Sequence, residues 1–439
     1  MKGRSLPLFL SLIPPVFLLI WLFLYHVDCP VGDEWALAPL LQKSFEGSLT
    51  FHDFWIQHNE HRLIFPKIVL LLLARWTSWN ITYELLANVL LGVGILLVLG
   101  YQVKRIDPET RRFLPILSFL VFSLNQSENW FSGWQIQIFM NVLAMILGMV
   151  LLSQRVTTWL RIMGAALLGI VASYSFASGM AYWLLGILVL LGVRARPEKV
   201  ILWSVAAIAV LLSYFYQYHK PEHHPAISVV FHQPVAFLDY LLSYLGSPLL
   251  AFTRKLASVA PTGIPKELLL SGTKTPTIAG LFGLGIGICI PFKLLRDKVV
   301  STEQILPFLS LMLYAFLTAA VSALGRAGFG TMSALSLRYV TISSLLWISN
   351  CVFLYLLAVQ SKRFRKISVT ILVSILFLIS LNSVYGGLYA RKQYYYLYPA
   401  RQELYGLQNE ELLKRLHHNP QTLRRYVEMM KKYRLSLFR

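Results

Sequence analysis

Two carboxylates stand just after the first apolar run, in the stretch "VDCPVGDEWALAPLL", where Asp33 and Glu34 follow Asp28 within a few residues. A carboxylate at a membrane boundary is partly desolvated, which raises its pKa and lets it take a proton from a hydroxyl within reach. Asp33 is the preferred base and Glu34 its substitute. The bland alternative is a hydrated pair at a helix start, since "GDEW" also reads as acids in a first turn. The same loop continues into "FHDFWIQHNEHRLIFPK", gathering His58, Asn59, Glu60, His61 and Arg62 just before an apolar segment. As a helix, this stretch puts His58 and His61 on one face with Arg62 adjoining, offering donors to sugar hydroxyls or phosphate oxygens. A divalent metal, with Asp53 or Glu60 as added ligands, is not favoured because the spacing matches no specific zinc pattern. No cofactor is expected. A solvated interfacial stretch is the structural alternative.

Two later stretches add polar groups. The turn "NQSENWFSGWQIQ" combines Asn125, Glu128, Asn129, Trp130, Trp134, Gln135 and Gln137. Aromatics beside amides suit sugar rings, although Trp also belongs to any membrane interface. In "ALGRAGFGTMSALSLRYVTISSLLW", Arg326, Arg338 and Tyr339 fall at the ends of two apolar segments. An arginine at the membrane edge is costly unless paired, and its planar fork matches a phosphate or pyrophosphate. Glycines at 325, 328 and 330 permit close backbone approach. Snorkelling, or pairing with an acid such as Asp33, is the alternative.

These groups need a frame to hold them, and the frame is a membrane. Of 439 residues 56% are hydrophobic and only 14% charged, and apolar runs near 20 residues recur, as a bilayer requires. The expected fold is all-α, a polytopic bundle of about eleven or twelve membrane-embedded helices. Crossings are expected at 6–25, 82–103, 113–125, 136–153, 158–174, 178–193, 200–218, 276–294, 304–322, 337–360 and 367–384. Segments 63–76 and 236–252 are ambiguous between full crossings and interfacial or re-entrant helices. The N-terminal run, with Lys2 and Arg4 before it and no small-residue cleavage site after it, reads as an uncleaved first helix.

Net charge is +20, but the Lys and Arg residues fall mostly in short linkers, which is an orientation signal rather than a nucleic-acid signal. "KRIDPETRR", "SQRVTTWLR", "RARPEK", "KLLRDK" and "SKRFRK" are placed in the cytoplasm. The loop from His26 to Arg62, the Trp130 turn, "YSFASG", the stretch from Tyr218 to about Thr275 and the Arg326 to Tyr339 turn then face outward. Cys29, Cys289 and Cys351 show no paired spacing, so neither a disulfide framework nor a zinc site follows. Residues 1–385 are read as the bundle and 386–439 as a basic, amphipathic helical tail. In that tail Asn419 caps a helix with Pro420 in its first turn, and Leu423, Val427 and Met430 share a face. The tail is expected to cap the outer surface, with a cytoplasmic tail on anionic lipid as the rival.

The layout resembles the GT-C glycosyltransferases, polytopic enzymes that use polyprenyl-phosphate sugars and include protein mannosyltransferases and the lipid A aminoarabinose transferases. The likeness lies in a first helix leading to an outer loop with an acidic pair, in "GDEW", and in outward arginines near the last helices. It implies Asp33, or Glu34, as the base on an acceptor hydroxyl and Arg338 or Arg326 as holder of the lipid phosphate. It also implies a polyprenyl-phosphate-linked sugar and a glycan or lipid acceptor as partners, in an inner (plasma) membrane with the site on the extracytoplasmic side. A lipid-linked glycan flippase or transporter, and a ligase moving a whole glycan, are the alternatives. Few ionisable residues at mid-depth and no visible repeat halves argue against transport.

Overall fold

The computed structural model describes residues 2–106, 112–154, 156–221, 232–253 and 274–439. The middle of the "KRIDPETRR" linker, Arg155 of "SQRVTTWLR" and most of the stretch from Tyr218 to Thr275 lie outside the described residues. Among the described residues the chain is helical and contains no strand beyond a single bridge between His58 and His61.

Eight helical stretches are long and apolar enough to cross a bilayer: Leu6–Tyr25, Ile81–Ile106, Gly133–Leu152, Pro197–Phe215, Lys274–Arg296, Thr302–Phe329, Leu337–Gln360 and Lys362–Glu403. Two shorter apolar ones, Trp159–Ser173 and Ala177–Gly192, accompany them. The chain is a multi-pass helical bundle. The helices used below are α1 (Lys2–Tyr25), α2 (Ala38–Glu46), α3 (Phe51–Trp55), α4 (Ile64–Thr77), α5 (Ile81–Ile106) and α6 (Leu114–Phe122). After the short α7 (Ser127–Trp130) come α8 (Ile136–Leu152), α9 (Trp159–Ser173), α10 (Ala181–Gly192) and α11 (Pro197–Phe215). The last are α12 (Pro234–Leu250), α13 (Lys274–Arg296), α14 (Thr302–Arg326), α15 (Val340–Gln360), α16 (Lys362–Glu403), α17 (Glu410–Leu416) and α18 (Pro420–Tyr433).

The segment expected to cross at 113–125 is shorter than its apolar composition suggests. Helix α6 has 9 residues, about 14 Å at the α-helical rise, against a hydrocarbon core of about 30 Å. Ser123 ends it by turning its hydroxyl back to accept from the Asn125 backbone N–H at 3.1 Å, which offers the chain an alternative to the helical ladder. The chain then runs through a buried 3-10 turn that carries Asn125 and Gln126 and on into the short α7 that carries the buried Asn129. Asn382 of α16 holds this loop, donating to the Asn125 side-chain oxygen at 2.7 Å and to the Ser247 carbonyl at 2.9 Å. The two ambiguous segments are also short: α4 has 14 residues and α12 has 17 with Pro248 inside.

Close packing of α12 on α13 rests on two glycines. A Cβ on Gly246 would lie 1.9 Å from the Pro276 carbonyl oxygen, and one on Gly280 would lie 1.9 Å from that of Leu242. Only hydrogen fits at either place, so small residues let the two backbones touch, as is common between membrane helices. Helix α16 is one continuous helix from 362 to 403, so the chain beyond residue 385 begins as a prolongation of the bundle. Beyond it, Leu423, Val427 and Met430 are all buried, and the aromatic rings of α18 stack on the first loop: Tyr426 on Trp35 and Tyr433 on Phe45. The tail therefore lies on the same side of the bundle as the loop from His26 to Arg62.

Candidate functional site

The loop after α1 opens with a 3-10 turn, Gly32–Leu37, that points its two acids in opposite senses. Glu34 is 5% exposed. One oxygen accepts from the Val31 N–H at 2.8 Å, and the other from the Ser132 hydroxyl and the Gly133 N–H, both at 2.8 Å. Burial raises its pKa, while these donors pull the other way. Glu34 thus staples the first loop to the 132–134 turn. Asp33, one residue earlier, has a side chain 59% exposed, and its carboxylate lies 3.9 Å from Nε2 of His58. That nitrogen is buried and has no hydrogen-bond partner. Burial lowers the His58 pKa, and the neighbouring Asp33 opposes that fall.

The stretch carrying His58 is not helical as expected. His58 and His61 exchange backbone hydrogen bonds of 2.8 and 2.9 Å across a tight turn in which Asn59 takes φ +48°. Asn is one of the few residues that adopts this left-handed conformation at low cost. The turn still brings the two imidazoles together with Glu60. Tyr214 of α11 donates its hydroxyl to the Glu60 carbonyl at 2.8 Å, which fixes the turn against the bundle. The Glu60 carboxylate accepts from Arg326 at the end of α14, and the other arm of that guanidinium reaches the Tyr339 hydroxyl. His61 lies 3.6 Å from Glu60 through Nε2, and its Nδ1 accepts from the Ala177 N–H at 3.1 Å. Its ring stacks on Phe176, and burial brings its pKa down to about 4.

Asp33, His58, Glu60, His61, Arg326 and Tyr339 therefore form one cluster. Other expected members do not join it. Arg62 is 2% exposed and spends its donors on the carbonyls of Trp55, Tyr214 and Tyr216, lying over the Trp55 ring. It closes the C-terminal end of α11, where carbonyls lack helical partners. Arg338 points elsewhere than Arg326: its side chain is 53% exposed and faces Glu128 at 3.6 Å. Glu128 also accepts from the Ser336 hydroxyl and the Arg338 N–H. Asn129 is buried, donating to the Arg338 carbonyl and the Thr341 hydroxyl. Trp130 is 0% exposed, packed between Phe122 and Phe139 with its N–H on the Ser123 carbonyl. Gln135 is half-buried in the turn before α8. Of the residues expected to form a sugar platform, Asn129 and Trp130 are thus core, while Glu128 and Gln135 are half-buried.

The other acids of the loop are structural. Asp53 is held near 2 by its hydrogen bond to Lys43 and by the Thr50 N–H it caps. Asp28 accepts from the Ile81 N–H at the start of α5. Among the described residues no group of three or more His, Cys, Asp or Glu is placed to hold a metal ion.

One buried acid escaped the sequence reading. Glu84, in the first turn of α5, is 2% exposed, and a Cβ on Gly133 would sit 2.0 Å from its Oε2. Gly133 is thus pressed between Glu84 and Glu34. A lone acid inside an apolar crossing was the available signal.

The chain matches no family model, no characterised protein and no solved structure. The cluster offers a half-exposed carboxylate beside an imidazole, together with a guanidinium already holding a carboxylate.

Proposed function

We propose that the protein is a membrane glycosyltransferase of GT-C type that moves a sugar from a polyprenyl-phosphate donor to a glycan or lipid acceptor at the extracytoplasmic face, with inversion. The observation that carries this reading is the meeting of the first-loop acids with an arginine 266 positions away, Glu60 on Arg326, beside Asp33 and His58. An interfacial enzyme of this kind needs a base and an anion holder at one place, supplied by distant parts of the chain.

In the proposed reaction Asp33 takes the proton of the acceptor hydroxyl, whose oxygen attacks the anomeric carbon. The bond from that carbon to the phosphate oxygen breaks, and the electron pair leaves on the phosphate. Arg326 stabilises this leaving group by a charge-assisted hydrogen bond that strengthens as negative charge builds. His58, 3.9 Å from Asp33, has a buried ring nitrogen without a hydrogen-bond partner, and a small movement lets it donate to the base and hold it in place. Glu34 and Gly133 fix the turn that carries Asp33, acting on position rather than on chemistry.

The test is transfer of labelled sugar from polyprenyl-phosphate donors by purified protein in detergent, comparing the natural sequence with Asp33→Asn and Arg326→Ala. Loss of transfer in both variants, with monodisperse folded protein, is the expected result. Transfer undiminished in Asp33→Asn removes the assigned base. Movement of lipid-linked glycan in liposomes without any transfer points instead to a flippase.

A further inference from the structure

The proposed anion holder is not empty-handed: the fork of Arg326 is already engaged by the Glu60 carboxylate and the Tyr339 hydroxyl. A carboxylate and a phosphate offer a guanidinium the same pair of acceptor oxygens, so they compete for one seat. Glu60 is also unusual in how it is delivered. Its backbone is locked independently of Arg326, by the His58 to His61 pairing and by the Tyr214 hydroxyl on its own carbonyl. Releasing the carboxylate therefore leaves the turn in place.

A second seat for the carboxylate stands ready. Nδ1 of His61 accepts from the Ala177 N–H, so in the neutral ring the proton sits on Nε2. That nitrogen lies 3.6 Å from the Glu60 carboxylate, a small side-chain rotation away from a hydrogen bond.

We propose that Glu60 is an internal stand-in for the ligand phosphate, occupying Arg326 in the absence of ligand and moving onto His61 when the phosphate of a phosphate ester arrives. This rests on the reading above only for the identity of the anion. The device keeps a partly buried guanidinium paired at every stage, which avoids the cost of leaving it desolvated and alone. It also makes affinity for the anion a difference between two partners of Arg326.

The experiment measures binding of inorganic phosphate and of farnesyl phosphate to the full chain in detergent by calorimetry. The natural sequence is compared with Glu60→Gln, Glu60→Asp and Arg326→Gln, each checked for an unchanged elution profile. Removing the competing charge in Glu60→Gln is expected to tighten binding about tenfold, with a smaller gain in Glu60→Asp, whose shorter side chain reaches Arg326 less well. Arg326→Gln is expected to lose binding. A gain for both probes assigns the seat to the phosphate itself. A gain for farnesyl phosphate alone assigns it to a lipid-borne phosphate. Weaker or unchanged binding of both probes in the two Glu60 variants overturns the stand-in, as does undiminished binding in Arg326→Gln. Tightened binding without sugar transfer keeps the stand-in and removes the glycosyltransferase.

Discussion

The guanidinium of Arg439 lies 2.7 Å from the carboxylate of Asp28, across a separation of 411 positions. The same carboxylate accepts from the Ile81 N–H with its other oxygen, and Arg401 of α16 donates to the Asp28 carbonyl. The residue at the exit of α1 is thereby tied to α5, to α16 and to the end of the chain. Arg439 is partly exposed, so Arg439→Ala is expected to cost under about 1 kcal/mol. Asp28→Ala also strips a helix N-terminus and is expected to cost about 1–2 kcal/mol. Thermal unfolding followed by Trp fluorescence checks the ranking, since Trp35 stacks on Tyr426 of the tail.

Arg62 looks like a ligand group in the sequence and acts as a beam in the fold. Its three carbonyl partners lie at the ends of α3 and α11, and an ammonium cannot span them in the plane of a guanidinium. Arg62→Lys is expected to destabilise by roughly 2–3 kcal/mol through unsatisfied buried groups. Yield and Tm should fall, while the specific activity of whatever folds stays close to normal. A large drop in specific activity at normal Tm contradicts the structural role.

His61 gives the fold a dependence on acidity. Its pKa is about 4 in the folded protein against an ordinary 6.5, because burial disfavours the charged ring. Between those values the unfolded chain binds a proton that the folded one refuses, so stability present above pH 6.5 is lost as pH falls toward 4. The loss attributable to this residue is at most about 3 kcal/mol. Melting curves at pH 7 and pH 5 should show a smaller acid-induced drop for His61→Gln than for the natural sequence.

On the glycosyltransferase reading, the two arginines weighed as holder of the lipid phosphate should separate cleanly by mutation. Arg326→Ala removes a group inside the cluster and is expected to lower transfer by about a hundred- to a thousandfold in kcat. Arg338→Ala, half-exposed on Glu128, is expected to change it only a few-fold. Steady-state rates with saturating donor decide the comparison, and equal losses at both positions would contradict the assignment.

Trp130 is expected to matter through packing. Trp130→Ala opens a void between Phe122 and Phe139 and is expected to cost about 3–5 kcal/mol, measured as loss of folded protein, with sugar affinity of the remainder unaffected.

The apolar runs made the bundle legible, because length and composition are local properties that a bilayer selects directly. The short α6 was not, since its end is set by one hydroxyl, that of Ser123, bonding back to Asn125, and hydropathy is blind to hydrogen bonds. In the site, Asp33 and His58 belong to one polar loop of the sequence, and the fold places them 3.9 Å apart. Arg326 was legible as an arginine that needs an acid, but its partner is Glu60 rather than an acid like Asp33, since a pairing over 266 positions leaves no trace in spacing. Arg62 and Trp130 stand outside the cluster, buried in the fold. The same side chains that grip a ligand also brace a fold, and only burial separates the two uses.

Helix α16 has 42 residues, about 63 Å at the α-helical rise, roughly twice the hydrocarbon thickness of a bilayer. Part of this rod therefore extends beyond a hydrocarbon layer of that thickness. Its far part carries Arg401, which is bonded to Asp28 five residues before Asp33. The rod thus carries a bond from the first loop down to the bundle, so the stretch that bears Asp33 is braced by the last long helix as well as by α5, whose first N–H Asp28 also holds.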